Sequence, residues 1–321
     1  MKLKEQFYNM MKFKNYSINT ADAYWGWVEG FIRHNGIKHP AEIMDKINDY
    51  LMYLTIEKKR APKTIRQAGF ALIFLYKKVL NTEMPYVELP KPTNRKPPVV
   101  FTRDEVYRLL SNLRNENLLI AKLLYGAGLR LSECISLRVK DIDFGNKQIL
   151  IYNGKGNRND ITLLPAPLID DLKIQLQIAG AIYQKDLLNN YNGTTLPENI
   201  KKKYPSLSKS FEWQYVFPST NLCSTSERHH VHNGVIQKAV KTAIKKAGIL
   251  KAGSCHTLRH SFATHLLQQG ENIRTVQELL RHKRVSTTMV YTHVLETEKR
   301  GVESPLVYLH SAPVTKIYSI A

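Results

Sequence analysis

The chain has 321 residues, room for two domains with separate cores, and its 43% hydrophobic and 23% charged residues form a globular balance that argues against extensive disorder. Lys plus Arg number 47 against 27 Asp plus Glu, a formal net charge of +20. That excess favours polyanionic partners, nucleic acid ahead of an anionic membrane surface, because each neutralised phosphate releases condensed counterions. The N-terminus "MKLKEQFYNM" lacks the apolar run of a signal peptide, and no stretch reaches the roughly 18 apolar residues of a spanning helix, so a soluble, cytoplasmic protein is expected. Cys134, Cys223 and Cys255 lie far apart without a CxxC pair and read as reduced thiols.

From "SINTADAYWGWVEGFIRHNG" to "APKTIRQAGFALIFLYKKVL" apolar residues recur at helical spacing, with Ser17 or Asn19 as a cap and Pro62 near a helix start. Residues 1–88 are therefore predicted to form a helical domain. The basic residues around its last helix, among them Arg60, Lys63, Arg66, Lys77 and Lys78, solvate a face in the plain reading and bind DNA if the chain works on DNA. "LPKPTNRKPPVV", residues 89–100, combines four prolines with basic residues and reads as a semi-rigid linker.

A second domain is predicted over residues 101–321. "FTRDEVYRLLSNL" opens it with Thr102 and Glu105 at capping-box spacing. After the helix "NLLIAKLLYGAG", a tight turn at Gly126 and Gly128 leads into another helix near Ser132, which sets Arg130 at its N-terminal entrance. The period then shortens: two strand-like runs in "KQILIYNGKGNRNDITLLP" flank "GKGN", a hairpin with Lys155 at its tip. Helical patterns return in "PLIDDLKIQLQIAGAIYQKDLL" and "HNGVIQKAVKTAIKKAG", with an irregular region between them. The expected fold class is mainly α with a small antiparallel β-sheet.

The stretch "HTLRHSFATHLLQQGENIRTVQELLRHKRVSTTMVYTHV", His256 to Val294, concentrates polar groups on short helices. As a metal site it would use His256 and His260 four apart, yet the HExxH pattern needs Glu where Thr257 stands, and Arg259 would repel a dication. A phosphate site uses the same residues better. Arg130 and Arg259 can each grip phosphoryl oxygens through two hydrogen bonds, Lys155 can deliver a proton to a leaving oxygen, and His256 and His282 can move protons near neutrality. Tyr291 is then the candidate nucleophile, since a phenol ester of phosphate is reversible by a sugar hydroxyl and keeps bond energy without ATP. Taken singly, a tyrosine is usually a core aromatic and a helical arginine a solvated charge; the joint order carries the reading.

In that order the residues resemble the tyrosine recombinases of the phage integrase family: Arg130 in "GAGLRLSECISLRVKDID", Lys155 in "GKGNRND", His256 and Arg259 in "HTLRHSFATHLL", His282 in "ELLRHKRVSTT" and Tyr291 in "TTMVYTHV". The resemblance covers both domains and implies a helical, SAM-like core-binding domain, a basic linker and an α+β catalytic domain. It implies that Tyr291 attacks the scissile phosphate to give a 3′-phosphotyrosine, with Arg130 and Arg259 stabilising the transition state and Lys155 protonating the departing 5′ oxygen. His256 would act as acid and base, His282 would bond a phosphoryl oxygen, and Glu133 would orient the site. No metal and no cofactor is implied. One departure stands out: the residue before the second active-site histidine is typically Gly in the family and is Arg281 here. If the backbone there needs a positive φ, Arg281 is strained by about 1 to 2 kcal/mol, with reduced activity or an extra cation for DNA as the expected result.

A narrower resemblance lies in residues 183–232, where "YQKDLLNNYNGTTLPENIKKKYPSLSKSFEWQYVFPS" and "RHHVHNGVIQKAV" look like the insertion of integron integrases. It implies integration and excision of gene cassettes in bacterial, nucleoid-associated DNA, including folded single-stranded sites. Trp213 would stack on a base flipped out of the hairpin stem, with His229 and His230 stacking on or bonding a displaced base. Strand exchange would need a tetramer on DNA, with the segment after Tyr291 packing on a neighbouring copy. The alternatives are a duplex-specific phage or chromosomal recombinase and a catalytically impaired DNA-binding protein.

Overall fold

The computed structural model describes residues 2–292 apart from 37–39, 85, 93–96, 153–158 and 190. The chain divides into two compact units, residues 1–96 and 97–321.

The first unit is helical, with α1 (Leu3–Phe13), α2 (Ile18–Asn35), α3 (Ile47–Ile56) and α4 (Pro62–Phe74), the last running on as a π-helical turn over Leu75–Val79. Of the two candidate caps, Ser17 starts α2, its hydroxyl accepting from the Thr20 amide at 3.3 Å. Pro62 takes the first position of α4, where its missing N–H costs nothing. The helices close over Phe7, Trp25, Phe31, Leu72 and Tyr76, all buried. Phe7 meets Trp25 and Phe74 edge-on at 5.5 Å, the offset that aromatic quadrupoles prefer. Asn48 fastens the segment that follows, donating to Tyr86 O at 2.9 Å and accepting from the Glu88 amide at 3.0 Å.

The second unit begins with α5 (Arg103–Ser111), α6 (Asn115–Gly126) and the short α7 (Leu131–Ile135). The capping box of α5 forms as the spacing predicts, with Glu105 N to Thr102 Oγ1 at 3.1 Å and Thr102 N to Glu105 Oε2 at 2.7 Å. A three-stranded antiparallel sheet follows in the order β1 (Ile142–Asp143), β2 (Gln148–Tyr152), β3 (Asn159–Leu163), with Ile149 opposite Thr162 and Leu150 opposite Ile161. Its alternation buries Ile149 and Ile151 and leaves Tyr152 exposed. Then come α8 (Ile169–Leu187), α9 (Glu198–Lys203), α10 (Asn233–Lys246), α11 (Cys255–Gln268), α12 (Ile273–Leu279) and α13 (Val285–Thr288), which ends in a 3₁₀ turn over Met289–Tyr291. This is the mainly helical class with a small antiparallel sheet that the periodicity predicts.

One core joins α5, α6, α10 and α11 to the sheet through residues such as Leu109, Ile120, Ile149, Val240 and Leu258. A smaller cluster of Phe262, Leu267, Val276 and Leu280 includes Tyr291 and ties the last helices to α11. Among the described residues no helix is long and apolar enough to cross a membrane.

The irregular region after α8 folds back through a buried ion pair. Arg228 Nε reaches Asp186 Oδ2 at 2.8 Å, Nη2 takes the other carboxylate oxygen, and Nη1 donates to Ser219 O at 2.8 Å. Both side chains are only 7% exposed. Asp186→Ala leaves a buried guanidinium unpaired and is expected to cost about 3 to 5 kcal/mol in urea unfolding, and a loss below about 1 kcal/mol would show the pair to be dispensable.

Candidate active site

Arg130 occupies the extended position before α7, with φ −74° and ψ 150°. The turn that delivers it depends on Gly128, whose φ is +61° and where a Cβ would lie 2.4 Å from the ring of Phe262. Both facts require glycine. Glu133, one turn into α7, accepts from the Arg130 amide at 2.8 Å and pairs with its guanidinium at 2.5 Å.

Arg259 projects from α11 and is 1% exposed. Its guanidinium donates to the carbonyls of Gly128 and Leu280, and its Nη2 stands 3.5 Å from His282 Nε2. Burial, followed by the charges of Arg130 and Arg281, pushes the group down to about 9, so it stays charged at neutral pH. His282 is held from its other nitrogen by Thr288 Oγ1 at 3.0 Å.

Arg281 has φ +54°, so the position does demand the left-handed backbone that glycine adopts freely. Its side chain turns inward and is 3% exposed, pairing with Glu133 Oε2 at 2.7 Å and donating to Leu279 O at 2.7 Å. An outward-reaching cation is thus not what this residue supplies. Glu133 is shared by three guanidiniums, with Arg259 Nη1 at 3.8 Å. Burial alone would raise the Glu133 carboxyl, but Arg281 and Arg130 more than offset it and hold it below the usual carboxylate range. Among the described residues Arg281 Nε is a buried donor with no partner.

Tyr291 is 2% exposed and its hydroxyl shares a 2.7 Å hydrogen bond with His260 Nδ1. Burial raises the phenol above its ordinary value, and Arg259 and Arg130 pull it only partly back. His260 stands edge-on to His256 at 4.5 Å, and His256 keeps an exposed edge. Desolvation of its buried side, then Arg259 and Arg130, lowers His256. Both His260 and His282 fall to about 4, burial being the first cause in each. The structure therefore gathers Arg130, Glu133, His256, Arg259, His282 and Tyr291 into one site. Lys155 lies outside the described residues, as does the segment after Thr292. Sequence reasoning left His260 without a role, although its four-residue spacing from His256 places it on the same helix face. Among the described residues no cluster of His, Cys, Asp and Glu is arranged to hold a metal ion.

Beside Arg130 and Glu133 opens a cleft of ≈ 820 Å³ walled by Arg138, Lys140, Tyr152, Trp213 and Tyr215. Trp213 is half-buried, with the Arg138 guanidinium 5.4 Å and Lys140 Nζ 4.5 Å from its ring. Lys140 also caps Tyr152 at 3.7 Å, and Arg138 lies 4.3 Å over Tyr215. His229 stacks parallel to Tyr215 at 5.5 Å and His230 meets it edge-on at 5.2 Å. Trp213, His229 and His230 thus gather around Arg138 and Tyr215, neither of which their sequence spacing singles out. In the first unit Arg60 and Lys63 are exposed, whereas Arg66 donates to Pro90 O at 2.8 Å and covers Phe70.

A sequence profile described as the phage integrase family matches residues 99–298, and one described as the phage integrase N-terminal SAM-like domain matches residues 3–86. An integrase/recombinase of Escherichia coli is 44% identical over 315 residues, covering 95% of this chain and 93% of that protein. Tyrosine recombinase XerC of Pediococcus pentosaceus is 30% identical over 298 residues, covering 88% and 89%. Among solved structures, XerH recombinase bound to its difH substrate superimposes with a TM-score of 0.63 at 19% identity, over 95% of this chain and 85% of that one. A lambda integrase dimer on a core site does so at 0.58 and 14% identity, over 89% and 95%. These two likenesses are of fold.

Arg281→Gly and Arg281→Ala both remove the contact to Glu133, but only alanine keeps the strained backbone. Glycine is expected to be the more stable by about 1 kcal/mol in chemical denaturation, and equal stabilities would remove the strain from this position. His260 and His282 bind protons less readily in the folded chain than in the unfolded one. Their contribution to stability is complete above the ordinary 6.5 and is lost as pH falls toward about 4. Thermal melts across that window should show a shallower decline in the His260→Asn, His282→Asn double variant; a decline as steep as the wild type's rejects the assignment.

Proposed function

The chain belongs to the phage integrase family and is a site-specific tyrosine recombinase, an enzyme that cuts and rejoins DNA without ATP, and within that class we propose that it is an integron integrase. In this reading residues 1–88 bind the core site, residues 89–100 link, and residues 101–321 carry the chemistry, four copies assembling on paired DNA. Tyr291 Oη forms a bond to the scissile phosphorus while the bond to the 5′ oxygen breaks, leaving a 3′-phosphotyrosine and a 5′ hydroxyl. Arg130 and Arg259 hold the phosphoryl oxygens, His282 donates to one of them, and His256 serves as acid and base. Lys155 gives the departing oxygen its proton. A 5′ hydroxyl from the second site then reverses the step, so bond energy is conserved.

The observation that carries the integron reading is the aromatic and cationic cleft beside Arg130. Its walls offer a flat ring, Trp213, with two cations against it, and Tyr215, which the imidazoles of His229 and His230 pack against from outside the lining. Such a lining suits an unstacked base with its attached phosphate, since every base has a π-face and stacking contributes about 1 to 3 kcal/mol per base. A duplex keeps its bases stacked and has no use for it.

Two measurements test this. Purified chain with labelled cassette-site DNA in EDTA should give a slow covalent band on a denaturing gel, lost in Tyr291→Phe with binding kept; a band that survives the substitution overturns the nucleophile. Trp213→Ala should weaken binding to the folded single-stranded site by about tenfold or more while sparing the duplex, and equal losses on both forms would return the chain to the duplex-specific class.

A further inference from the structure

Arg281 enters neither the implied catalytic set nor the chemistry above, yet it binds the carboxylate around which that set is built. Its side chain is 3% exposed. Nη2 lies 2.7 Å from Glu133 Oε2 and 3.3 Å from Gly128 O, and Nη1 donates to Leu279 O at 2.7 Å. Glu133 is pinned from other directions as well: Oε2 accepts from the Arg130 amide at 2.8 Å, and Oε1 pairs with Arg130 Nη1 at 2.5 Å. Arg259 shares both anchors of Arg281, donating to Gly128 O and standing 3.8 Å from Glu133 Oε2. Asp160 on β3 is a further anion whose field reaches Arg281. Exposure separates the cations. Arg130 is 38% exposed and lines two open clefts, and Arg281 lines neither.

We propose that Arg281 is a positioning residue of the cleavage reaction, a buried counter-charge to Glu133 that leaves Arg130 and Arg259 their full charge for the transition state. The inference rests on the reading of those two arginines as the holders of the scissile phosphate. Without Arg281, the carboxylate that orients Arg130 would draw its compensation from the phosphate-holding cations alone and cancel part of their field. With it, Glu133 keeps the orienting contacts while its charge is met by a cation that does not reach the clefts. Burial raises the Glu133 carboxyl, and Arg281 is the largest of the influences that bring it below the usual range, so the orienting group stays ionised. A phosphodiester gains negative charge on passing to its pentacoordinate transition state, so a more positive site favours that state over the bound substrate. Arg281 therefore acts on the chemical step rather than on DNA affinity.

The test is single-turnover cleavage of labelled cassette-site DNA, folded single-stranded and duplex, by the full chain and its Arg281→Gly, Arg281→Met, Arg281→Lys and Tyr291→Phe variants. Glycine removes the charge and relaxes the backbone; methionine removes the charge and keeps the strain. Both should slow adduct formation at saturating protein by about tenfold or more, although glycine gives the more stable fold. Lysine restores the charge and should recover most of the lost rate. Affinity and its salt dependence should stay those of the wild type in all three, because a guanidinium that touches no phosphate releases no counterion. A role confined to folding would order the rates by thermal stability, with glycine fastest. Arg281→Gly within about threefold of wild type, or lysine as slow as methionine, overturns the proposal and leaves Arg130 and Arg259 in their roles. A shallower salt slope in Arg281→Gly also overturns it, in favour of direct phosphate contact. An adduct that survives in Tyr291→Phe, or none from the wild type on either DNA form, brings down the reading of the site itself and Arg281's part with it.

Discussion

The carboxylate of Glu133 sits among three guanidiniums, 2.5 Å from Arg130, 2.7 Å from Arg281 and 3.8 Å from Arg259; Arg130 keeps contact with solvent, whereas Arg259 and Arg281 are buried and need the anion most. Desolvation makes such a cluster costly unless the anion is shared and the remaining protons find acceptors. Backbone carbonyls supply those: Gly128 and Leu280 for Arg259, Leu279 for Arg281. The same carbonyls fix where α6, α11 and α12 meet. Two of the clustered cations are those proposed to hold phosphate, so their net charge exceeds that of the single anion and leaves the site positive.

Positive φ is needed twice to build this arrangement. Gly128 lets the chain turn against Phe262 and deliver Arg130, and a side chain there would collide with that ring. Arg281 accepts the strained backbone without glycine's freedom. Its contact with Glu133 offsets part of that strain, which explains how an arginine is accommodated where a small residue fits more simply. The cost remains visible in its Nε, a buried donor without a hydrogen-bond partner among the described residues.

The region after α8 follows a different logic. It contains few regular elements, so its backbone groups and charges are satisfied by side chains instead: Arg228 on Asp186, Tyr191 on Gln214 at 2.6 Å, Gln175 on Val216 O at 2.9 Å. That internal bracing surrounds Trp213 and Tyr215, two walls of the Arg130 cleft. A rigid aromatic wall loses little entropy when a flat ligand stacks on it, which is the property a base-reading surface needs.

Much of the chemistry is legible in order and spacing. The capping box at Thr102, the helix entrance at Arg130 and the hairpin strands around residues 153–158 follow from local rules in which near neighbours decide the backbone. Arg130, His256, Arg259, His282 and Tyr291 could be picked out because their residue types suit phosphoryl transfer in a resembling order. Sequence also flagged Arg281 as a strained position. The direction of its side chain, the sharing of Glu133, the bond from His260 to Tyr291 and the stack of Lys140 and Arg138 on aromatic rings were decided only in three dimensions. Each joins residues distant in the chain or selects one rotamer among several. Periodicity fixes which face of a helix a residue occupies; burial, charge balance and the fit of neighbouring side chains determine what that residue touches.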